Sequence, residues 1–179
     1  MKQLILSFFL TIMIQESDNH GVIFDDPDSV TIILSELQSN EIPNSIWDSV
    51  HIKKLTIRKN RLTSTWKTYP PLSWYETREL APPFWELPNE IGSLKNLEYL
   101  YLVDLDINSL PETIAGLQKI KILNLSLNKL TLHSELEKFK QLKNLKDLKI
   151  MGNHYDSLEM KKFKKDFQHI DIKYTSEDK

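Results

Sequence analysis

The chain contains no cysteine among its 179 residues. Disulfides, thiolate metal sites and cysteine nucleophiles are therefore excluded. Glycine is also scarce, with four residues, and none of them belongs to a glycine-rich phosphate-binding motif. The five histidines do not have the spacing of metal ligands. We therefore expect a protein that is not an enzyme and that has no cofactor, catalytic or metal site.

Basic residues are absent between Lys2 and Lys53, where acidic residues are frequent, and lysine is abundant from Lys119 to Lys165. The net charge of -2 does not favour a nucleic-acid partner. We expect two solvated surfaces of opposite sign. The alternative is an electrostatic dipole that steers a charged partner.

No apolar run is long enough to span a bilayer, so we expect no transmembrane segment. The longest such run, residues 4–14, follows Lys2 and precedes polar residues. This order is typical of a secretory signal peptide, although no small-x-small cleavage site follows. We expect residues 1–20 to direct export to the periplasm, the cell surface or the medium. The alternative is that they form an apolar cap on a cytoplasmic protein.

A repeat of about 23 residues occupies most of the remaining chain. LPNEIGSLKNLEYLYLVDLDINS (87–109) aligns with LPETIAGLQKIKILNLSLNKLTL (110–132) at seven spaced apolar or proline positions. The shared pattern is LPxxIxxLxxLxxLxLxxNxL. Its LxL segments, which predict strands, begin at residues 32, 55, 100, 123, 148 and 170.

This pattern resembles the leucine-rich repeat family, of the kind common in bacterial proteins, over about residues 25–174. The resemblance implies an α/β solenoid, a horseshoe with a parallel concave sheet of about six or seven strands and short helices or 3-10 turns on the convex side. It implies one domain over residues 21–174 with a polar tail at 175–179, and asparagines 60, 128 and 153 in a buried ladder. Some bacterial members carry a ubiquitin-ligase domain that works through a cysteine, which this chain lacks.

The family also implies a non-enzymatic module that binds a protein or peptide on its concave face, and we expect a monomer. Residues that flank the LxL leucines point out of that face because side chains alternate along a strand. An aromatic and apolar centre with charged margins is typical of a protein interface. The predicted contact residues are Tyr99, Tyr101, Val103, Ile122, Asn124, Trp74, Tyr75, Arg58 and Lys149. The same spacing predicts that Thr31, Ile33 and Ser35 face outward on the first strand.

The repeat period is interrupted once, where the LxL segments that begin at residues 55 and 100 are separated by two periods. Residues 65–86, TWKTYPPLSWYETRELAPPFWE, contain six aromatics and four of the eight prolines. We expect a degenerate repeat whose strand lies near residues 74–80, with its prolines outside any central strand. The alternative is a bulged-out insertion. A second functional hypothesis is that this segment binds a glycan or small ligand by aromatic stacking.

Overall fold

The computed structural model describes residues 21–37, 41–59 and 86–175. The predicted export segment, the polar tail beyond residue 175 and most of the aromatic segment, including Trp74 and Tyr75, lie outside these ranges. Among the helices of the described ranges, none combines the length and the apolar character needed to cross a membrane.

Within the described ranges, seven strands form a single sheet, and each strand pairs with the next one along the chain. The first pair is an antiparallel hairpin and the remaining pairs are parallel. This order is that of the expected α/β solenoid, in which each repeat adds one strand and one return segment. The strands are β1 Val22–Asp26, β2 Ser29–Ile33, β3 Lys54–Arg58, β4 Tyr99–Leu102, β5 Ile122–Asn124, β6 Asp147–Lys149 and β7 Asp171–Lys173. The helices are α1 Asn44–Trp47, α2 Leu132–Gln141 and α3 Ser157–Asp166, and the 3-10 helices are η1 Leu34–Glu36, η2 Asn89–Ser93 and η3 Glu112–Gly116.

The core consists of the LxL residues and the apolar residues of the return segments. Leu55, Leu100, Leu123 and Leu148 pair in register across four strands, and each is fully buried. No single repeat could bury its apolar face, so the stacking of repeats is what removes these side chains from water. Each buried leucine contributes about 1.5–3 kcal/mol of transfer free energy.

The return segments pack on the side of the sheet that carries these leucines. In the two 23-residue repeats the return segment is a 3-10 helix, η2 or η3. Between β5 and β6 the period lengthens to 25 residues, and the ten-residue helix α2 replaces the 3-10 turn. Helix α3 closes the last repeat with Met160 and Phe163 in the core.

Asn128 is buried and joins two consecutive repeats through its side chain. Its Nδ2 donates to the carbonyl oxygens of Leu102 and Leu125 at 2.7 and 2.8 Å. Its Oδ1 accepts from the backbone N–H groups of Leu105 and Ile107 at 3.1 and 3.2 Å. Buried backbone groups at the ends of short strands need such partners. The predicted ladder is therefore present at this position.

Asn153 repeats the arrangement one turn of the solenoid later. Its Nδ2 donates to Leu125 and Ile150, and its Oδ1 accepts from Leu130. In the repeat of β4 the equivalent position is Leu105, so the ladder is interrupted there. The predicted ladder residue Asn60 lies outside the described residues.

The residue before each ladder position has a left-handed backbone conformation. Asp104, Leu127 and Gly152 have φ angles of 58°, 60° and 77°. Left-handed residues turn the chain out of the strand and toward the return segment, and they favour glycine or short polar residues. Leu127 therefore adopts a conformation that its side chain disfavours.

Strands β3 and β4 are direct hydrogen-bonded neighbours although two repeat periods separate them in sequence. Leu55 pairs with Leu100, and Lys54 pairs with Tyr99. The strand predicted near residues 74–80 lies outside the described residues. A parallel pair requires only that the chain return to the same end of the sheet, and a longer connection meets this condition.

Candidate functional site

The concave face is the side of the sheet opposite the return segments. Because the LxL residues point into the core, the residues that alternate with them point out of the concave face. Strand register aligns these residues in two rows that cross the sheet from β3 to β7. The first row is Lys54, Tyr99, Ile122, Asp147 and Asp171, and the second row is Thr56, Tyr101, Asn124, Lys149 and Lys173.

The centre of the concave face is aromatic and apolar. Tyr99 pairs with Ile122, and Tyr101 pairs with Asn124, so their backbones are about 4.8 Å apart. Val103 follows the end of β4, and all five side chains are half-buried. The structure therefore brings together the five predicted contact residues of β4 and β5.

The Tyr101 hydroxyl lies in a partly desolvated environment beside a carboxylate. Burial raises the pKa of Tyr101, and the negative charge of Asp147 and the neighbouring Tyr99 raise it further. The hydroxyl is consequently protonated at neutral pH, where it can donate a hydrogen bond to a ligand.

Arg58 and Lys149 flank this centre on opposite sides. Arg58 is the last residue of β3 and is half-buried opposite Ile33 of β2. Lys149 is half-buried next to Asn124. Both therefore belong to the same face as the aromatic centre. The remaining predicted contacts, Trp74 and Tyr75, and with them the glycan-binding hypothesis for residues 65–86, lie outside the described residues.

The residues of β2 that were predicted to face outward do not extend the exposed surface. Thr31 and Ile33 are 4% and 2% exposed, although their spacing places them on the concave face. The Thr31 hydroxyl donates to Asp25 Oδ2 at 2.7 Å, so the β1 hairpin supplies a side chain that covers it. Ser35, beyond the strand, is exposed as predicted.

Asp147 is a concave-face residue that was absent from the predicted contacts. Its Oδ1 is buried, and within the described part of the chain no donor lies at hydrogen-bonding distance from it. The sequence places Asp147 beside Leu148, which identifies its face. Its burial results from the surrounding residues and has no signal in the local sequence.

A cluster of charges lies at the turn that follows β3 and β4. Lys59, which is 5% exposed, bonds Asp106, and Lys129 Nζ lies 3.0 Å from Asp106 Oδ1. Burial raises the pKa of Asp106, but the hydrogen bonds from the two lysines outweigh it, so the pKa lies below its usual value. This cluster ties the end of β3 to two later repeats. Among the described residues, no group of three histidines and carboxylates is arranged to hold a metal ion.

A scan against protein-family models and a search of curated proteins find no match. Solved structures do match. A leucine-rich repeat protein from Leptospira interrogans is 28% identical with a TM-score of 0.53, over 75% of this chain and 34% of that chain. An internalin from Listeria monocytogenes is 15% identical with a TM-score of 0.50, over 76% of this chain and 32% of that one. TLR13 in its ssRNA13 complex is 22% identical with a TM-score of 0.52, over 88% of this chain and 23% of that one.

The Listeria and TLR13 structures are similar to this chain in fold alone. The chain spans about a third or less of the length of each of the three structures. The repeat pattern, the stacked parallel strands and the asparagine ladder agree with the similarity to the Leptospira protein. The chain therefore has the repeat pattern and the fold of leucine-rich repeat proteins.

Proposed function

We propose that the chain is a non-enzymatic scaffold that binds a protein or peptide partner on the concave face. The observation that carries this proposal is the adjacency of Tyr99, Tyr101 and Ile122, which are half-exposed on the side opposite the return segments. Tyrosines present a large rigid surface with a polar end, and they are enriched among residues that dominate binding energy.

The margins of this surface support the same proposal. Charged side chains border the apolar centre, with Arg58 toward β2 and Lys149 toward β7. Interfaces commonly have an apolar, aromatic core that partners desolvate and a polar rim that remains wet. Leucine-rich repeat proteins are protein-interaction scaffolds in general, so the shared repeat pattern and fold point in the same direction.

The proposal is tested by replacing Tyr99 and Tyr101 together with alanine. Partners are captured from extracts of the native organism, identified by mass spectrometry, and their affinities are then measured with the purified proteins. We expect the double variant to lose about 2 kcal/mol or more of binding free energy, roughly 30-fold in affinity, for a partner that uses this centre. Circular dichroism should show an unchanged fold because neither side chain belongs to the core.

Two exposed apolar residues outside the concave face provide a matched control. Val50, in the return segment before β3, is 56% exposed, and Leu158, on α3, is 76% exposed. The double variant Val50→Ala/Leu158→Ala removes apolar surface without touching the concave face, so it should retain the partner. If both double variants retain every partner with unchanged affinity, the concave face is not the binding surface.

A further inference from the structure

Asp147 lies on the concave face, and its Oδ1 has no hydrogen-bond partner among the described residues. Its Oδ1 is buried. Leaving a buried acceptor unpaired costs about 1–3 kcal/mol, and more for a charged group. Such an unpaired group in a native structure calls for a physical explanation.

The nearest basic side chains of the same sheet face do not neutralise it. Lys173 Nζ lies 3.7 Å from Asp171 Oδ2, so it is engaged with the neighbouring carboxylate of the first row. Lys149 lies two residues along β6 on the same face, and no ion pair joins it to Asp147 within the described ranges. Asp147 and Asp171 are cross-strand neighbours, and like charges at such positions repel each other. Within the described ranges, no basic side chain therefore forms an ion pair with Asp147.

The tyrosine pair lies on the β5 side of this carboxylate. Ile122 separates Asp147 from Tyr99 in the first row, which puts their backbones about 10 Å apart. Tyr101 is close enough that the charge of Asp147 raises its pKa. A cation above Ile122 would therefore have tyrosine rings on one side and a carboxylate on the other. Aromatic faces attract cations, and partial desolvation strengthens the attraction.

We propose that Asp147, Tyr99 and Tyr101 form a subsite for an arginine side chain of the partner. The guanidinium fits this subsite better than an ammonium because it is planar, always charged and more weakly hydrated, and because it stacks on aromatic rings. The guanidinium compensates the charge of the half-buried Asp147 carboxylate, while the tyrosines cover the apolar faces of the guanidinium. This inference deepens the proposed function and rests on it.

The test uses the full chain and a phage-displayed library of random peptides. The library is selected in parallel on the wild type, on Asp147→Asn and on Asp171→Asn, and the enriched sequences are read. Asp147→Asn keeps the shape of the side chain and removes its charge. Asp171→Asn is the matched control because it removes the neighbouring carboxylate of the same row, which is exposed. Melting curves of both variants verify that the fold is retained.

We expect the wild type and Asp171→Asn to enrich peptides with arginine at a fixed position, and Asp147→Asn to lose that preference. The best peptide should bind Asp147→Asn at least about tenfold more weakly than the wild type. Replacing its arginine with neutral citrulline should weaken binding similarly, and the two changes together should cause little further loss because they remove one interaction.

The outcomes separate this inference from the proposed function. If enriched peptides share no arginine position, or if Asp147→Asn binds them as well as the wild type, the arginine subsite is wrong. The concave face would still be supported if Tyr99→Ala/Tyr101→Ala abolished binding of those peptides. If the wild type enriches no peptide, the peptide-binding proposal fails together with the subsite. A preference for lysine with equal affinity for arginine would overturn the assignment to a guanidinium.

Discussion

Replacing Asn128 with alanine tests whether the asparagine ladder holds the repeats together. The side chain is 4% exposed. It makes four hydrogen bonds of 2.7–3.2 Å to backbone groups at the turns after β4 and β5. Alanine removes all four and leaves two N–H groups and two carbonyl groups buried without this partner. At about 1 kcal/mol net for each bond, we expect the free energy of unfolding to fall by about 4 kcal/mol.

Two other asparagines provide a graded comparison. Asn153 makes three ladder bonds and is only partly buried, so Asn153→Ala should cost about 2–3 kcal/mol. Asn124 is on the concave face and accepts one bond, from the N–H of Ser126 at 3.1 Å. Because water can replace that bond, Asn124→Ala should cost less than about 1 kcal/mol.

The assay is equilibrium unfolding in urea, followed by far-ultraviolet circular dichroism. A lower midpoint with an unchanged slope would show that stability changed without a change in the surface exposed on unfolding. The ladder reasoning is refuted if Asn128→Ala costs no more than Asn124→Ala, or if the order of the three variants is reversed.

Two further predictions concern other parts of the scaffold. Gly92→Ala should lower the free energy of unfolding by about 1–3 kcal/mol, because a Cβ at this position would lie 2.7 Å from the backbone oxygen of Thr113. Gly116→Ala is its control, since the added Cβ meets the flexible end of Lys95 at 2.6 Å and the Gly92 backbone oxygen at an ordinary contact distance of 3.5 Å. Equal urea midpoints for the two variants would contradict this expectation. The folded-state pKa of Asp106 is lowered, so its stabilising contribution is complete above the ordinary pKa of 3.8 and is lost as pH falls below it. The stability difference between wild type and Asp106→Asn should therefore shrink below about pH 4 in denaturation curves measured as a function of pH, and a difference that stays constant would rule out this contribution.

Much of the fold could be predicted because the core positions recur at a fixed spacing in the repeat. The spacing of Leu100 and Leu123 predicts strands whose alternate residues are buried, and both leucines are fully buried in register. The same period identifies Tyr99, Tyr101 and Ile122 as concave-face residues, and the sheet brings them together. Such predictions succeed where local alternation and the stacking of repeats require the same face to be buried.

Sequence reasoning failed where the burial or the strand neighbour of a residue depends on parts of the chain outside its own repeat. Thr31 has the spacing of an outward residue but is buried, and its hydroxyl donates a hydrogen bond to Asp25 of the adjacent strand β1. Leu55 and Leu100 lie two periods apart in the sequence, yet they pair directly in the sheet. The repeat period describes spacing along the chain. Which strands are adjacent in the sheet depends instead on which strands form backbone hydrogen bonds with each other.

The sequence by itself determined which face of each strand enters the core, because side chains alternate and a single repeat cannot bury its leucines alone. It also determined which asparagines could form the ladder, since Asn128 and Asn153 follow their leucines at the same distance. Only the tertiary structure decided that β3 adjoins β4 and that Asp147 Oδ1 is buried beside the tyrosine centre. Strand adjacency and the desolvation of a charge arise from residues far apart in the chain, so neither can be read from the local pattern.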